Sequence, residues 1–484
     1  MWTDSHVFAS RRQMLNRCFN SIGALALGAL VADEASSADG IDPLAPKSPH
    51  FAPRAKRCIF LFMSGGVSQV DTFEYKPALT KYAGKTIDPS PGLRGEIAAA
   101  LTKSVTPFPE LFPFARFGQS GRQLSSRFRH LGPWVDELAF VHGIVGESNN
   151  HGPATLQINT GSVLQGSPSV GAWVTYGLGS ENRNLPGYMV ICDARGEPTN
   201  GAAVWQSGYL PAMFQGTPLN PQGPPIVDLR RPPERTLQTT RQELDLLALL
   251  NKKHANTRIN AGDLEARIAS YELAYRMQIA APEAVDINSE PVHIQRLYGL
   301  DRPVTRGFGR QCLLARRMAE RGVSFVLAVH GVTNEGERGW DHHSSIAKRL
   351  PKAIQEVDQP VAGLLTDLKQ RGLLDDTLVV FTSEMGRTPY RQITEAGSNA
   401  EAGRDHNQYA LISWLAGAGV RGGSDAGETD ELGLGGIGDV IHMRDFHATI
   451  LHLLGLDNHA LTYLNEGRFK RLTDLGGRVL QELL

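Results

Sequence analysis

Arg57–Gly66 reads RCIFLFMSGG. The apolar run is unbroken from Cys58 to Met63, and Ser64-Gly65-Gly66 closes it with the residues of a tight turn. A strand with one wet face would alternate apolar and polar residues. A short continuous run bounded by a turn is the pattern of a strand covered on both faces, as in a parallel sheet.

The same pattern recurs along the chain. ELAFVHGI (Glu137–Ile144), YMVICD (Tyr188–Asp193), VSFVLAVH (Val323–His330), TLVVFTS (Thr377–Ser383) and YALISWLAG (Tyr409–Gly417) read as further buried strands. Helical patterns lie between them, at Gly309–Arg321 with Gly322 as a stop and at Ile354–Arg371 with Gly372 as a stop. Strands alternating with helices predict an α/β fold: a doubly wound, mostly parallel central sheet with helices on both faces. Residues 180–306 differ, being Pro-rich to Pro233 and charged and helical from Gln242 to Gln278. They are expected to form an insertion that covers the sheet or caps a site.

In such a sheet the loops at the carboxyl ends of the strands carry the chemistry. That rule gathers Asp71 after the first strand, His142 and His151 at and after the second, and His330, Asp341, His342 and His343 after the fourth. Glu384 follows the fifth directly, and Asp405 and His406 lie in the loop entering the sixth. In GWDHH (Gly339–His343), an extended loop would point Asp341 and His343 the same way, so that both reach one ion, with Trp340 as a shield. A carboxylate such as Glu384 at a strand end is costly to bury unless paired or coordinating. Each cluster alone is also what a wet turn, a helix cap or a satisfied core histidine would look like. Together they offer imidazole and carboxylate ligands for one or two divalent ions. Zinc suits the set best, with manganese and iron next and calcium or magnesium behind.

The formal charge is −1 and the pI near 7.0, so no basic surplus points to nucleic acid. The four cysteines, Cys18, Cys58, Cys192 and Cys312, are too far apart for a CxxC motif. Near the start, Arg11-Arg12 precedes a weakly apolar run, Ile22–Val31, and small residues that fit cleavage after Ala38. This predicts a twin-arginine export signal over residues 1–38, a linker over 39–56 and a single domain over 57–484, periplasmic or secreted, with the export machinery as a partner. No other apolar run reaches membrane-spanning length. Gly433–Gly438 fits GxGxxG but follows no convincing strand, and no serine sits in a GxSxG elbow.

FLFMSGGVSQVDTFEYKP, GWDHH, TSEMGRTP and GRDHNQYALISWLAGAGVRGG together resemble the bacterial family called domain of unknown function 1501, a sulfatase-like branch of the alkaline phosphatase superfamily. RDFHATILHLLGLD and GRFKRLTDLGGRVLQELL resemble it too. The resemblance implies an alkaline phosphatase-like sheet and a one- or two-metal site for phosphate or sulfate esters. By motif it implies Asp341, His343, Glu384 and His406 as metal residues and matches Asp71 to the acid of the turn after the first strand; Asp71 and Asp405, the neighbour of His406, are expected as further metal residues. HGPATLQINTG (His151–Gly161) has the length of the sulfatase signature, but His151 stands where its nucleophilic Cys or Ser would be, and Thr155 where its Arg would be. Formylglycine chemistry is therefore not expected.

The expectation is an exported metal-dependent hydrolase of anionic phosphate or sulfate esters. A metal-bound hydroxide would attack, with His151 as a ligand or proton carrier and Arg387 binding the anionic group bidentately. The alternatives are a non-catalytic exported protein of the same fold that binds anionic polysaccharide or a partner, and a metal-dependent isomerase or mutase.

Overall fold

The structure, a computed structural model, describes residues 43–87, 106–220, 262–332, 339–392 and 401–484, with scattered residues between 238 and 250. The expected export signal and residues 39–42 of the linker lie outside the described residues. Pro46–Leu484 cluster as one compact unit.

Strand β1 (Arg57–Met63) runs through the interior of an eight-stranded sheet, and every one of its residues is buried. The other strands are β2 (Leu138–Ile144), β3 (Tyr188–Ile191), β4 (Thr217–Leu219), β5 (Phe325–His330), β6 (Thr377–Thr382), β7 (Leu411–Ala416) and β8 (Asp425–Ala426). Their spatial order is β8-β2-β7-β6-β1-β5-β3-β4. On one side β1 pairs with β5, Met63 opposite His330; on the other it pairs with β6, Phe62 opposite Thr382. Both pairings are parallel. Only β7 runs the other way, antiparallel to β6 and to β2.

That one reversal matters for the site. The start of β7 lies at the edge where the parallel strands end. The loop entering β7 therefore joins the loops leaving β1, β5 and β6, and this is how residues 401–406 reach the carboxyl edge.

Both faces are covered. Ile59, Leu61 and Met63 of β1 share an apolar cluster with α5 (Pro303–Glu320) and α6 (Ile346–Gln370). On the opposite face Gly171 of α3 (Val170–Leu178) abuts Tyr188 and Phe325, where a Cβ would come within 2.7 Å of ring atoms. Buried residues of α6 recur at Ile346, Leu350, Ala353, Ile354, Val357, Val361, Leu364, Leu365 and Leu368, the period of a helix with one apolar face.

Two expectations are corrected. Helix α6 begins eight residues before the expected Ile354 and contains Pro351 and Pro360. Proline reads as a stop because it lacks an N–H and crowds the preceding turn; here the long apolar face outweighs that signal. Within residues 180–306, the strand expected at Tyr188–Asp193 forms as β3, and β4, which was not expected, extends the sheet beyond it. The segment's helix α4 (Gly262–Val285) follows them. No helix among the described residues is long and apolar enough to cross a membrane.

Candidate metal centre

The turn after β1, which leads into the short helix α1 (Gln69–Thr72), is the floor of the site. Trp340 N–H donates to Ser64 O at 3.0 Å, laying the loop after β5 directly on this turn. Gly65 has φ +118°, and a Cβ there would stand 2.5 Å from Asp341 N, so only glycine permits the approach. Trp340 is buried and donates through Nε1 to His330 Nδ1 at 3.0 Å, while His330 Nε2 meets Glu356 Oε2 at 2.9 Å. Trp340 and His330 thus anchor the loop from below and do not shield the site. Beyond Trp340, side chains alternate. Asp341 and His343 face one way, and His342 is buried on the other, its pKa pushed down to about 3 by burial and then by the Arg387 charge.

The remaining donors come from α2 and from the loop entering β7. His151 is the first residue of α2 (His151–Thr160), whose start is capped by Asn150 Oδ1 accepting from Gly152 N at 3.2 Å. His406 pairs with Arg387 in a short antiparallel ladder, His406–Asn407 against Gly386–Arg387.

His151, Asp341, His343 and His406 converge, each offering one ligand atom, with these atoms all within 4.8 Å of one another. Asp341 Oδ1 lies 3.0 Å from His343 Nε2 and 3.5 Å from His406 Nε2; Asp341 Oδ2 lies 3.3 Å from His151 Nε2. All four residues are partly open to solvent.

Each ring's far nitrogen faces an oxygen. His151 Nδ1 is 2.8 Å from Glu384 Oε1, His406 Nδ1 is 2.6 Å from the Asn149 carbonyl, and His343 Nδ1 is 2.6 Å from Gln392 Oε1. A carbonyl or carboxylate only accepts, so the Nδ1 atoms carry the protons and the Nε2 lone pairs point inward. His343 Nε2 and His406 Nε2 then face each other at 2.8 Å with no proton of their own between them in the neutral rings. His151 Nε2 is buried and lacks a hydrogen-bond partner; Asp341 Oδ2, 3.3 Å away, is an acceptor like the unprotonated Nε2 itself. Three lone pairs and a carboxylate aimed at one point make the donor set of a cation site. Histidine whose other nitrogen is held by an oxygen acceptor is the usual arrangement at a metal. The residues fit a divalent ion, and nitrogen-rich donors of this kind suit zinc, manganese or iron.

The charges around the cluster also shift its titrations. Burial opposes charge on His151, but Asp341 and Glu384 outweigh it and hold its pKa up at about 9. Burial likewise opposes charge on Asp341, and the three imidazoles and Arg387 overcome it, holding the carboxyl far below its ordinary range. His406 is pushed down, by burial first and by the Arg387 charge.

The other expected residues lie elsewhere. Glu384 is fully buried behind His151, where its oxygens also accept from Gly65 N at 2.8 and 3.0 Å and from Gly66 N at 3.2 Å. It orients a donor and is not one of the four. Arg387 is corrected from substrate binder to internal brace. It is fully buried, donates to Asp341 Oδ1 at 2.5 Å, to Gly66 O and Arg404 O at 3.1 Å each, and also to Gly65 O. Asp405 is half exposed, 3.7 Å from His343 Nδ1, with Oδ1 accepting from His406 N at 2.8 Å. Asp71 is not at the donor cluster: Arg404 grips both its oxygens at 2.6 and 3.0 Å, and Ser68 Oγ donates to it at 2.6 Å. His142 is likewise apart, held between Glu74 and Asp425 at 2.8 Å each. Asn149, Gln392 and Arg404 were not expected at all. Neutral amides and a lone arginine carry no signal until the loops are folded together.

A family model described as "Protein of unknown function (DUF1501)" matches residues 55–484, and the chain belongs to this family. Among solved structures it is similar to the alkaline phosphatase of the Antarctic bacterium TAB5, at 10% identity over 85% of this chain and 99% of that one, TM-score 0.34. It is also similar to a sulfatase from Pseudoalteromonas sp., at 12% identity over 84% and 68%, TM-score 0.34. A phosphonate monoester hydrolase from Silicibacter pomeroyi matches at 14% identity over 73% and 71%, TM-score 0.31. No curated protein matches. Similarity at this level says nothing about activity.

Proposed function

We propose that this chain is an exported, metal-dependent hydrolase of phosphate or sulfate esters. The observation that supports a metal centre most strongly is the inward aim of three imidazole Nε2 atoms and the Asp341 carboxylate, including a buried Nε2 on His151 with no hydrogen-bond partner. The ester class comes from the motif resemblance.

His151, Asp341, His343 and His406 would hold the ion. When bound, such an ion supplies Lewis acidity toward an ester oxygen and acidifies a coordinated water. Glu384 keeps the His151 proton on Nδ1 and so keeps Nε2 free to donate. Arg387 balances the charge of Asp341 and ties it to the Gly65-Gly66 turn. Asp405, at the exposed margin, accepts from His406 N and so steadies the loop that carries this donor.

The test is metal content and turnover on the same samples. Wild type should retain about one or more divalent ions per chain, and Asp341→Ala and His406→Ala should lose them. Hydrolysis of a phosphate or sulfate monoester should disappear in the same variants. Full metal content in both variants would defeat the metal centre. A metal-loaded wild type inert toward a broad ester panel would leave a binding protein of this fold as the better reading.

A further inference from the structure

Away from the donor cluster, a cavity of about 490 Å³ opens between the segment before β2, the start of α5 and the first turns of α6. Arg127, Arg129, Arg302, Lys348 and Lys352 converge on it from these three places. The acid in its wall, Asp358, turns its oxygens to backbone amides, accepting from His130 N at 2.9 and 3.1 Å and from Leu131 N at 2.8 Å. Among the described residues, none of the five cations has a carboxylate within salt-bridge distance, although the chain as a whole carries a formal charge of −1. Elsewhere this protein pairs its arginines freely, Arg316 with Glu290, Glu320 and Asp367 for example.

Helix α6 adds an independent observation. Its first turn contains no acid, and Lys348, Arg349 and Lys352 all lie in its first two turns. The positive end of the helix dipole disfavours cations there. A local rule broken at the same place where like charges collect is the mark of a binding site.

We propose that this cavity is a second site, separate from the metal centre, for a ligand carrying two or more phosphoryl or sulfuryl groups. Guanidinium forks suit such tetrahedral oxyanions. Five cations carry more positive charge than one such group, at most a dianion, can balance. No Phe, Tyr or Trp side chain lines the cavity among the described residues, so the lining favours oxyanions over the stacked bases of a single-stranded nucleic acid. A smaller cavity of about 210 Å³ shares Lys348 and Lys352 and reaches Gly339, two residues before Asp341.

The test is calorimetric titration of the full chain with two probes, inorganic tripolyphosphate and a multiply sulfated disaccharide. Each probe is titrated into protein as purified and after treatment with a chelator. Saturable binding is expected for at least one probe in both states, and the stronger probe tells which anion the site prefers. Lys348→Glu/Lys352→Glu should weaken it by about tenfold or more, as the loss of charge-assisted contacts requires. Arg127→Gln/Arg129→Gln, on the opposite wall, should do the same and serves if the first variant fails to fold. Asp341→Asn should bind as wild type does. Three results would overturn the proposal: no saturable binding of either probe, unchanged affinity in both basic-wall variants, or loss of binding in Asp341→Asn with retention in the basic-wall variants.

Discussion

Glu384→Gln separates a carboxylate that orients a metal donor from one that is itself a donor. In the folded protein Glu384 Oε1 accepts from His151 Nδ1 at 2.8 Å and from Gly65 N at 2.8 Å, and Oε2 accepts from Gly65 N and Gly66 N at 3.0 and 3.2 Å. Glutamine keeps the volume but turns one of these acceptors into a donor. Either an N–H of the glycine turn or His151 Nδ1 then faces an N–H in a buried place. If the clash falls on His151, the ring flips its proton toward Nε2 and the inward lone pair is lost. Disturbing the hydrogen bond behind a metal-binding histidine typically costs about 10–100-fold in metal affinity, about 1.4–2.7 kcal/mol. All four donors remain, so the number of ions bound at saturation should not change. Zinc competition against a chromophoric chelator gives both affinity and stoichiometry. Affinity equal to wild type would refute the argument. A fall in stoichiometry like that of Asp341→Ala would show Glu384 to be a direct ligand.

Asp71→Asn should leave metal content intact while lowering stability, because it strips the charge partner from the fully buried Arg404. A broken buried pair costs about 3–5 kcal/mol, which for a chain of this size is roughly 3–5 °C in a thermal scan; loss of metal would contradict the placement of Asp71. His142 gives a pH test. Burial opposes its charge, but Asp425 and Glu74 raise its pKa from 6.5 to about 9. The stabilisation is complete below 6.5 and is lost as pH climbs through about 9, a contribution of about 3 kcal/mol. The melting-temperature gap between wild type and His142→Gln should therefore close by roughly 3 °C from about pH 6 to about pH 10, and a constant gap would contradict the assignment. Gly65→Ala forces a Cβ to 2.5 Å from Asp341 N and 2.7 Å from Trp340 N. It should cost metal affinity by displacing the Asp341 loop, even though no donor is changed; zinc affinity equal to wild type would show that the loop accommodates it.

The central strands were legible because burial on both faces writes itself as an unbroken apolar run, as in Cys58–Met63 and Leu378–Phe381. The edge strands β4 and β8 were not, being three and two residues long and placed by their neighbours. Asp341 and His343 were legible as a pair because their spacing of two fixes a common side in an extended loop. The division of labour among the acids was not. Asp71 and Glu384 look alike in sequence, and their roles depend on Arg404 and Gly65, more than 300 positions away along the chain. Arg387 appeared free to meet substrate because nothing local reveals that carbonyls of the β1 turn consume its donors.

The donors are spread along the chain at 151, 341, 343 and 406. An unfolded chain can offer an ion little more than the Asp341–His343 pair. The binding free energy of the proposed ion would therefore accrue almost wholly to the native state, and the ion would act as a thermodynamic clamp on the fold. Each tenfold rise in free ion above its dissociation constant adds about 1.4 kcal/mol to unfolding. Melting temperature should thus climb in step with the logarithm of metal concentration, which makes thermal stability itself a titration of the site.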